Sequence, residues 1–179
     1  LAGGGDDHHA WHKMLDQALN QRRFKLYFQP VVASQDTQLV LNYKVLSRLI
    51  DDEGQSIPAG RFLPWLERFG WAARLDRLML ELVLEQMDDH EHSLALNLSL
   101  ATLQDPQALN ALFETLRSHS NLGPRLTLEI GEEQLPELAD LADRTRRLRE
   151  LGFSLSLQHF GGRFSMIGNL ARLGLAYLK

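Results

Sequence analysis

The chain has 179 residues, of which 44% are hydrophobic and 23% are charged, a composition typical of one folded domain. Lys and Arg number 19 against 23 Asp and Glu, and the net charge of −4 argues against a DNA- or RNA-binding protein. The absence of cysteine excludes disulfides, thiolate metal sites and a cysteine nucleophile, and no apolar run reaches the roughly 18 residues that span a bilayer.

The N-terminal residues predict a linker followed by a helix. Residues 1–5 contain three consecutive glycines, whose backbone freedom favours a flexible connection. Asp6 or Asp7 can then cap a helix over residues 6–22. Its apolar residues recur at helical spacing on one face, namely Trp11, Met14, Leu15, Ala18 and Leu19. This face is expected to pack on another surface.

Three histidines lie at the start of this helix. His8 and His12 are one turn apart, and with His9 they permit a metal site. The alternative is a solvated helix start without a metal.

Residues 25–32 and 39–50 predict two strands joined by a short turn, so they are expected to pair as an antiparallel hairpin. In the second strand, Lys44, Leu46 and Arg48 share one face, while Tyr43, Val45, Ser47 and Leu49 point to the other. Arg presents a planar fork of donors to phosphate and Lys presents a point charge, so this face predicts a floor for an anionic ligand. The alternative is an edge strand with solvated charges.

The remaining chain alternates between helix and strand. Helices are predicted over residues 58–70, 75–87, 106–119 and 136–151. Strands are predicted over residues 93–99, 126–130, 153–159 and 177–179. This alternation predicts an α/β fold with a parallel sheet.

Polar side chains close nearly every predicted strand. They are Gln29, Arg48, Asn97, Ser99, Glu129, Gln158, His159 and Lys179. Functional groups in parallel barrels lie at the carboxyl ends of the strands, where the loops converge. These residues therefore predict a shared site.

Several motifs resemble those of a known family, the EAL domain of cyclic-di-GMP phosphodiesterases. In chain order they are Phe28-Gln29-Pro30-Val31-Val32, Lys44-Val45-Leu46-Ser47-Arg48-Leu49, Phe62-Leu63-Pro64, Asn97-Leu98-Ser99, Leu128-Glu129-Ile130-Gly131-Glu132, Phe160-Gly161-Gly162 and Leu178-Lys179. The resemblance implies a TIM-like (β/α) barrel of EAL type whose first strand is antiparallel to the rest. A full barrel has eight strands. Because six are predicted here, the C-terminal part of the barrel is expected to be missing from a domain over residues 23–179.

The resemblance also implies departures at the metal positions. In active members, four positions hold divalent metals that generate the attacking hydroxide. Here they are Lys44, Asn97, Glu129 and Gln158, and His159 replaces a further Asp. Two carboxylates are lost, and the Lys44 ammonium is expected to take the place of the metal beside Glu129. The implied domain has no metal and no cofactor and is not an enzyme.

The binding half of the family site is retained. The residues expected to contact cyclic di-GMP are Gln29, Leu46, Arg48, Asp76, Asn97 and Glu129. Among these, the resemblance assigns Arg48 to a phosphate and Asp76 to a guanine. The implied function is that of a catalytically inactive receptor for cyclic di-GMP.

The Lys-Val-Leu form of the signature further resembles the LapD group of membrane-bound cyclic-di-GMP receptors. That likeness implies a domain on the cytoplasmic face of the bacterial inner membrane that takes part in the control of biofilm adhesion. The implied partners are cyclic di-GMP, upstream degenerate GGDEF-type and membrane domains of the same protein, and a second copy of the chain. Two alternatives stay open: a residual cyclic-di-GMP phosphodiesterase, and a protein-interaction scaffold without nucleotide binding.

Overall fold

A computed structural model describes residues 4–33, 35–87, 91–131 and 138–158. Within these ranges the strands are β1 (Phe24–Ala33), β2 (Asp36–Ile50), β3 (Ser56–Pro58), β4 (Leu94–Asn97), β5 (Leu126–Gly131) and β6 (Ser154–Gln158). The helices are α1 (Gly4–Gln21), α2 (Ala59–Phe69), α3 (Ala72–Met87), α4 (Leu100–Gln104), α5 (Pro106–Arg117) and α6 (Leu138–Glu150), with a 3-10 helix, η1, at Ser120–Arg125.

The described strands form one sheet in the order β1-β2-β4-β5-β6, and the short β3 pairs with β2. β1 is antiparallel to β2, which confirms the predicted hairpin, whereas β2, β4, β5 and β6 are mutually parallel. The helices between the parallel strands are the crossover connections that such pairing requires. The fold is therefore α/β and of the TIM-like barrel type, with an antiparallel first strand as expected.

The core lies between the sheet and its helices. Strand residues on the outer face of the sheet are buried, among them Val45, Leu49, Leu94, Leu96, Leu126, Leu128, Ile130 and Leu155. Helix α3 turns one stripe of apolar residues inward, including Leu75, Leu78, Met79, Leu84 and Met87. The helical spacing of these residues explains why one face of α3 is buried. No helix in the described ranges combines the length and the apolar character needed to cross a bilayer.

Helix α1 packs on this core as its sequence pattern predicts. Trp11, Leu15, Ala18 and Leu19 are buried. The helix begins at Gly4, so the prediction of a cap at Asp6 or Asp7 is wrong. Tertiary packing of the apolar face outweighs the entropic cost of the helical glycines, about 1 kcal/mol each relative to alanine.

The histidines of α1 are exposed, and two of them also make ring contacts. His8 and His12 meet the ring of Phe69 edge-on at 5.1 and 4.9 Å between centroids. His12 also lies 4.5 Å from the ring of Trp71. Within the described residues no group of three or more acidic, histidine or cysteine side chains could hold a metal ion.

Three short elements, β3, α4 and η1, escaped prediction because each is too short to show a period. Gly70 caps the carboxyl end of α2 and adopts a left-handed φ of 74° that L side chains rarely adopt. The predicted strand at 177–179, and with it Lys179, lies outside the described residues, as does His159.

Candidate functional site

The hairpin of β1 and β2 presents a cationic face, which consists of Lys25, Tyr27 and Gln29 on β1 and Lys44, Leu46 and Arg48 on β2. These residues are direct cross-strand partners, with Lys25 opposite Arg48, Tyr27 opposite Leu46 and Gln29 opposite Lys44. Directly opposite residues point to the same side of an antiparallel pair. On the reverse side, Val45 and Leu49 are buried, whereas Leu46 is 39% exposed. The predicted alternation along β2 is therefore confirmed.

Arg48 supplies the guanidinium group of this face. Its side chain is exposed, and among the residues that the structure describes it forms no ion pair with a carboxylate. Its Cζ atom lies 5.1 Å from the centroid of the Tyr27 ring. Sequence reasoning missed Tyr27. The available signal was its place two residues before Gln29, which puts both on the same face of β1.

Asn97 and Glu129 lie beside each other on β4 and β5. They are partners in the parallel register, and the backbone N–H of Leu98 donates to the backbone carbonyl of Glu129 at 2.8 Å. Glu129 is fully buried and Asn97 is exposed at the end of its strand. The carboxylate is thus held at the carboxyl end of the sheet, called the rim below, next to a polar neighbour that reaches solvent.

Lys44 lies on the same side of the sheet as this pair. It is the register partner of Ala95, which precedes Asn97 by two residues and therefore points the same way. Glu129 lies on the second strand from β2, across β4, and two residues further toward the carboxyl end of the sheet than the position level with Lys44. The expected ion pair between them stays a prediction. Gln158 pairs in register with Gly131, two residues beyond Glu129.

Gln29 lies beside the site, but not because it stands at the carboxyl end of its strand. Because β1 is antiparallel, its carboxyl end points away from the carboxyl ends of the other strands. Gln29 comes to the site as the cross-strand partner of Lys44, from the middle of β1. The argument from strand ends is therefore wrong for Gln29, although it fits the positions of Arg48 and Asn97.

Asp76 on α3 is bound to the rim by its own hydrogen bonds. Its Oδ2 atom accepts from the backbone N–H of Ser99 at 2.7 Å, from the Ser99 hydroxyl at 2.8 Å and from the Thr102 hydroxyl at 2.6 Å. Burial raises the pKa of Asp76, and these hydrogen bonds oppose the rise without cancelling it. Asp76 ties α3 to the start of α4, a role that sequence reasoning missed because Thr102 follows no strand in the predicted pattern.

Two neighbouring residues of this site carry oxygen donors for a divalent metal. Glu129 offers one carboxylate and Asn97 an amide oxygen, while Lys44 brings a positive charge to the same side of the sheet. Magnesium in phosphoryl-transfer sites is commonly held by one or two carboxylates, waters and the substrate phosphates. The donor set therefore fits an ion shared with a bound phosphate better than an ion held by the protein alone.

The chain is similar to known proteins over nearly all its length. Residues 12–179 match the family model described as the EAL domain. The FimX EAL domain from Pseudomonas aeruginosa, solved bound to c-di-GMP, is 29% identical with a TM-score of 0.80 over 96% of this chain and 70% of that chain. The S helix-GGDEF-EAL structure of Vibrio cholerae LapD is 21% identical with a TM-score of 0.82, over 96% of this chain and 42% of that one, a likeness of fold.

A curated relative is the cyclic di-GMP phosphodiesterase NbdA of Pseudomonas aeruginosa. It is 28% identical over 172 residues, which are 92% of this chain and 22% of that protein. The chain spans between about a fifth and a third of the length of the curated relatives it matches.

These relatives contradict the expectation that the chain is not an enzyme. Several that match more than nine tenths of it are named cyclic di-GMP phosphodiesterases, and the family points to enzymatic activity. The expectation was wrong because it treated two altered ligand positions as decisive. A metal that is partly held by substrate phosphates needs fewer protein carboxylates than that reasoning assumed.

Proposed function

The chain belongs to the EAL domain family, and from this premise we propose that it binds cyclic di-GMP on the cationic face of β1 and β2. The observation that carries the proposal is Arg48, an exposed guanidinium on that face without a carboxylate partner among the described residues. A cation held at a surface without an internal counterion is available to an anionic ligand. FimX, the relative solved with c-di-GMP, supports the identity of that anion.

The neighbours of Arg48 supply complementary contacts for such a ligand. Arg48 donates to a phosphate in a bidentate arrangement, and Lys44 adds a second positive charge. Leu46, which is 39% exposed, offers apolar contact to a base. Gln29, opposite Lys44, contributes both a donor and an acceptor. A cyclic dinucleotide has two phosphates and two bases. A face that carries both cations and apolar side chains is therefore complementary to it.

Hydrolysis of the same nucleotide is the second function that we propose. It is favoured by the relatives named as cyclic di-GMP phosphodiesterases and by the buried Glu129 beside Asn97. These two residues would hold a divalent ion together with the phosphate. The ion, when bound, supplies activation of water for attack on phosphorus.

We also propose that this domain serves as a nucleotide-sensing module of a larger membrane-anchored signalling protein that controls biofilm adhesion. The Lys44-Val45-Leu46 signature and the likeness of fold to LapD support this role. A scaffold that lacks nucleotide binding is the rival, and the accessible cationic face opposes it.

The experiment is a calorimetric titration of the intact protein with cyclic di-GMP, followed by chromatography of the nucleotide after incubation with magnesium or manganese. We expect saturable binding by the parent and by Arg61→Ala, a control arginine that is exposed on α2. Absence of binding by the parent overturns the first function. Product formation no faster than with Glu129→Ala overturns the second.

A further inference from the structure

We infer that Tyr27 is a positioning residue for Arg48, whose guanidinium it holds on the cationic face in the orientation that a nucleotide phosphate requires. The inference rests on the proposed binding of cyclic di-GMP. It adds Tyr27 to the binding site as a residue that acts on the phosphate contact through the side chain of Arg48.

The hairpin register places the two side chains within reach. Tyr27 is opposite Leu46, and Arg48 is opposite Lys25, so Tyr27 and Arg48 are diagonal neighbours on one face. Diagonal neighbours in an antiparallel pair lie about 7 to 8 Å apart at the backbone, close enough for aromatic and long side chains to meet. The Arg48 Cζ lies 5.1 Å from the Tyr27 ring centroid, inside the range of a cation–π contact.

The surroundings of Arg48 explain why it needs such a contact. Lys25, its direct cross-strand partner, carries the same charge and repels it. No carboxylate in the described part of the chain pairs with the Arg48 guanidinium. An arginine in that position would otherwise sample many rotamers, and binding a phosphate would then carry the entropic cost of ordering it.

Stacking on a ring is compatible with phosphate binding because the two contacts use different parts of the guanidinium. The Arg48 Cζ atom lies over the Tyr27 ring, and the five N–H donors of a guanidinium project within its own plane. A phosphate can therefore accept hydrogen bonds from the N–H donors that do not face Tyr27. Arg74 over Trp71 provides a contrast within the same molecule, since that arginine also pairs with Asp16 at 3.2 Å.

Tyr27 is also poorly explained as a packing residue. Its side chain is 41% exposed, on the face opposite the buried Val45 and Leu49. Phe28, the next residue along β1, has nearly the same exposure of 38% but points to the other face. Phe28→Leu is therefore a matched control for the loss of an aromatic ring from this strand.

The test is a double-mutant cycle on cyclic di-GMP affinity in the intact protein. We expect Tyr27→Leu to weaken binding about 2- to 5-fold, the range for an exposed cation–π contact. Tyr27→Phe, which keeps the ring, should restore the parent affinity, and Phe28→Leu should leave it unchanged. In the Arg48→Ala background, Tyr27→Leu should have no further effect. An equal loss in both backgrounds, or no loss in the parent, overturns the inference.

A measurement without ligand separates this inference from the proposed function. Nuclear magnetic resonance of labelled arginine should show a ring-current shift of the Arg48 δ protons that disappears in Tyr27→Leu and persists in Tyr27→Phe. If the shift is present but the parent binds no cyclic di-GMP, the proposed function is wrong and the contact is only structural. If the parent binds and the shift is absent, the positioning role of Tyr27 is wrong while the function stands.

Discussion

The Oδ2 atom of Asp76 lies 2.6 Å from the hydroxyl of Thr102, which donates to it. The same oxygen accepts from Ser99, so one carboxylate on α3 fastens both the end of the β4 segment and the start of α4. Asp76 is thus a structural anchor of the rim.

The raised pKa of Asp76 predicts a specific pH dependence of stability. Burial lifts this pKa above its ordinary value of 3.8, so the unfolded chain loses its proton at lower pH than the folded chain does. The contribution of Asp76 to the free energy of unfolding is therefore complete below pH 3.8 and is lost as pH rises through the folded pKa. Relative to Asp76→Asn, the parent should lose stability over that interval in urea titrations. A difference between the two proteins that stays constant with pH would contradict this assignment.

Truncation of Arg48 should weaken cyclic di-GMP binding without harming the fold. Hydrogen bonds to charged groups contribute about 1.5 to 3 kcal/mol, so Arg48→Ala is expected to lose roughly 10- to 150-fold in affinity. The side chain is exposed, and its removal leaves no cavity. Calorimetry and thermal unfolding measure the two effects, and Arg61→Ala is the control. Unchanged affinity at an unchanged melting temperature would show that the cationic face is not the ligand floor.

Replacement of Lys44 by Glu should favour a divalent cation at the rim. The substitution changes the local charge by two units and adds a carboxylate on the side of the sheet that carries Asn97 and Glu129. Manganese titrated in the presence of cyclic di-GMP should bind more tightly to Lys44→Glu than to the parent. Lys25→Glu makes the same charge change on β1, which is farther from β4, and should have a smaller effect. Equal gains in both variants would indicate only a general electrostatic effect.

The sequence correctly predicted those features that repeat with a fixed period along the chain. The two-residue period of β2 located Leu46 and Arg48 on one face, and the 3.6-residue period located the buried face of α1. The period of β1 could place Tyr27 on the face of Gln29, but its contact with Arg48 depends on the register between β1 and β2, for which the sequence carries no local signal. The bonds from Asp76 to Thr102 join residues 26 positions apart and depend on how α3 meets α4. The prediction that the chain is not an enzyme was wrong because it rested on two altered positions. A metal site depends on its whole set of donors, including donors on the substrate.

Helix α1 should contribute substantially to the stability of the domain. Leu15 is fully buried in its packing face. Leu15→Ala is expected to cost about 2 to 5 kcal/mol in the free energy of unfolding, because it removes apolar contact and leaves a cavity. Lys13→Ala, on the exposed side of the same helix, should change it by less than about 0.5 kcal/mol. Similar values for the two variants in urea unfolding would mean that α1 does not dock in solution as it does here.

Helix α3 carries two attachments within one turn. Arg74 donates to Asp16 and Asn20 of α1 at 3.2 Å each, and two residues later Asp76 holds Ser99 at the rim. If a nucleotide binds one placement of α3 more tightly than another, and that placement also changes how α1 docks, then α1 docking must change nucleotide affinity by the same factor, because thermodynamic linkage is reciprocal. The contact between α1 and α3 would in that case set the nucleotide concentration at which the cationic face is half occupied.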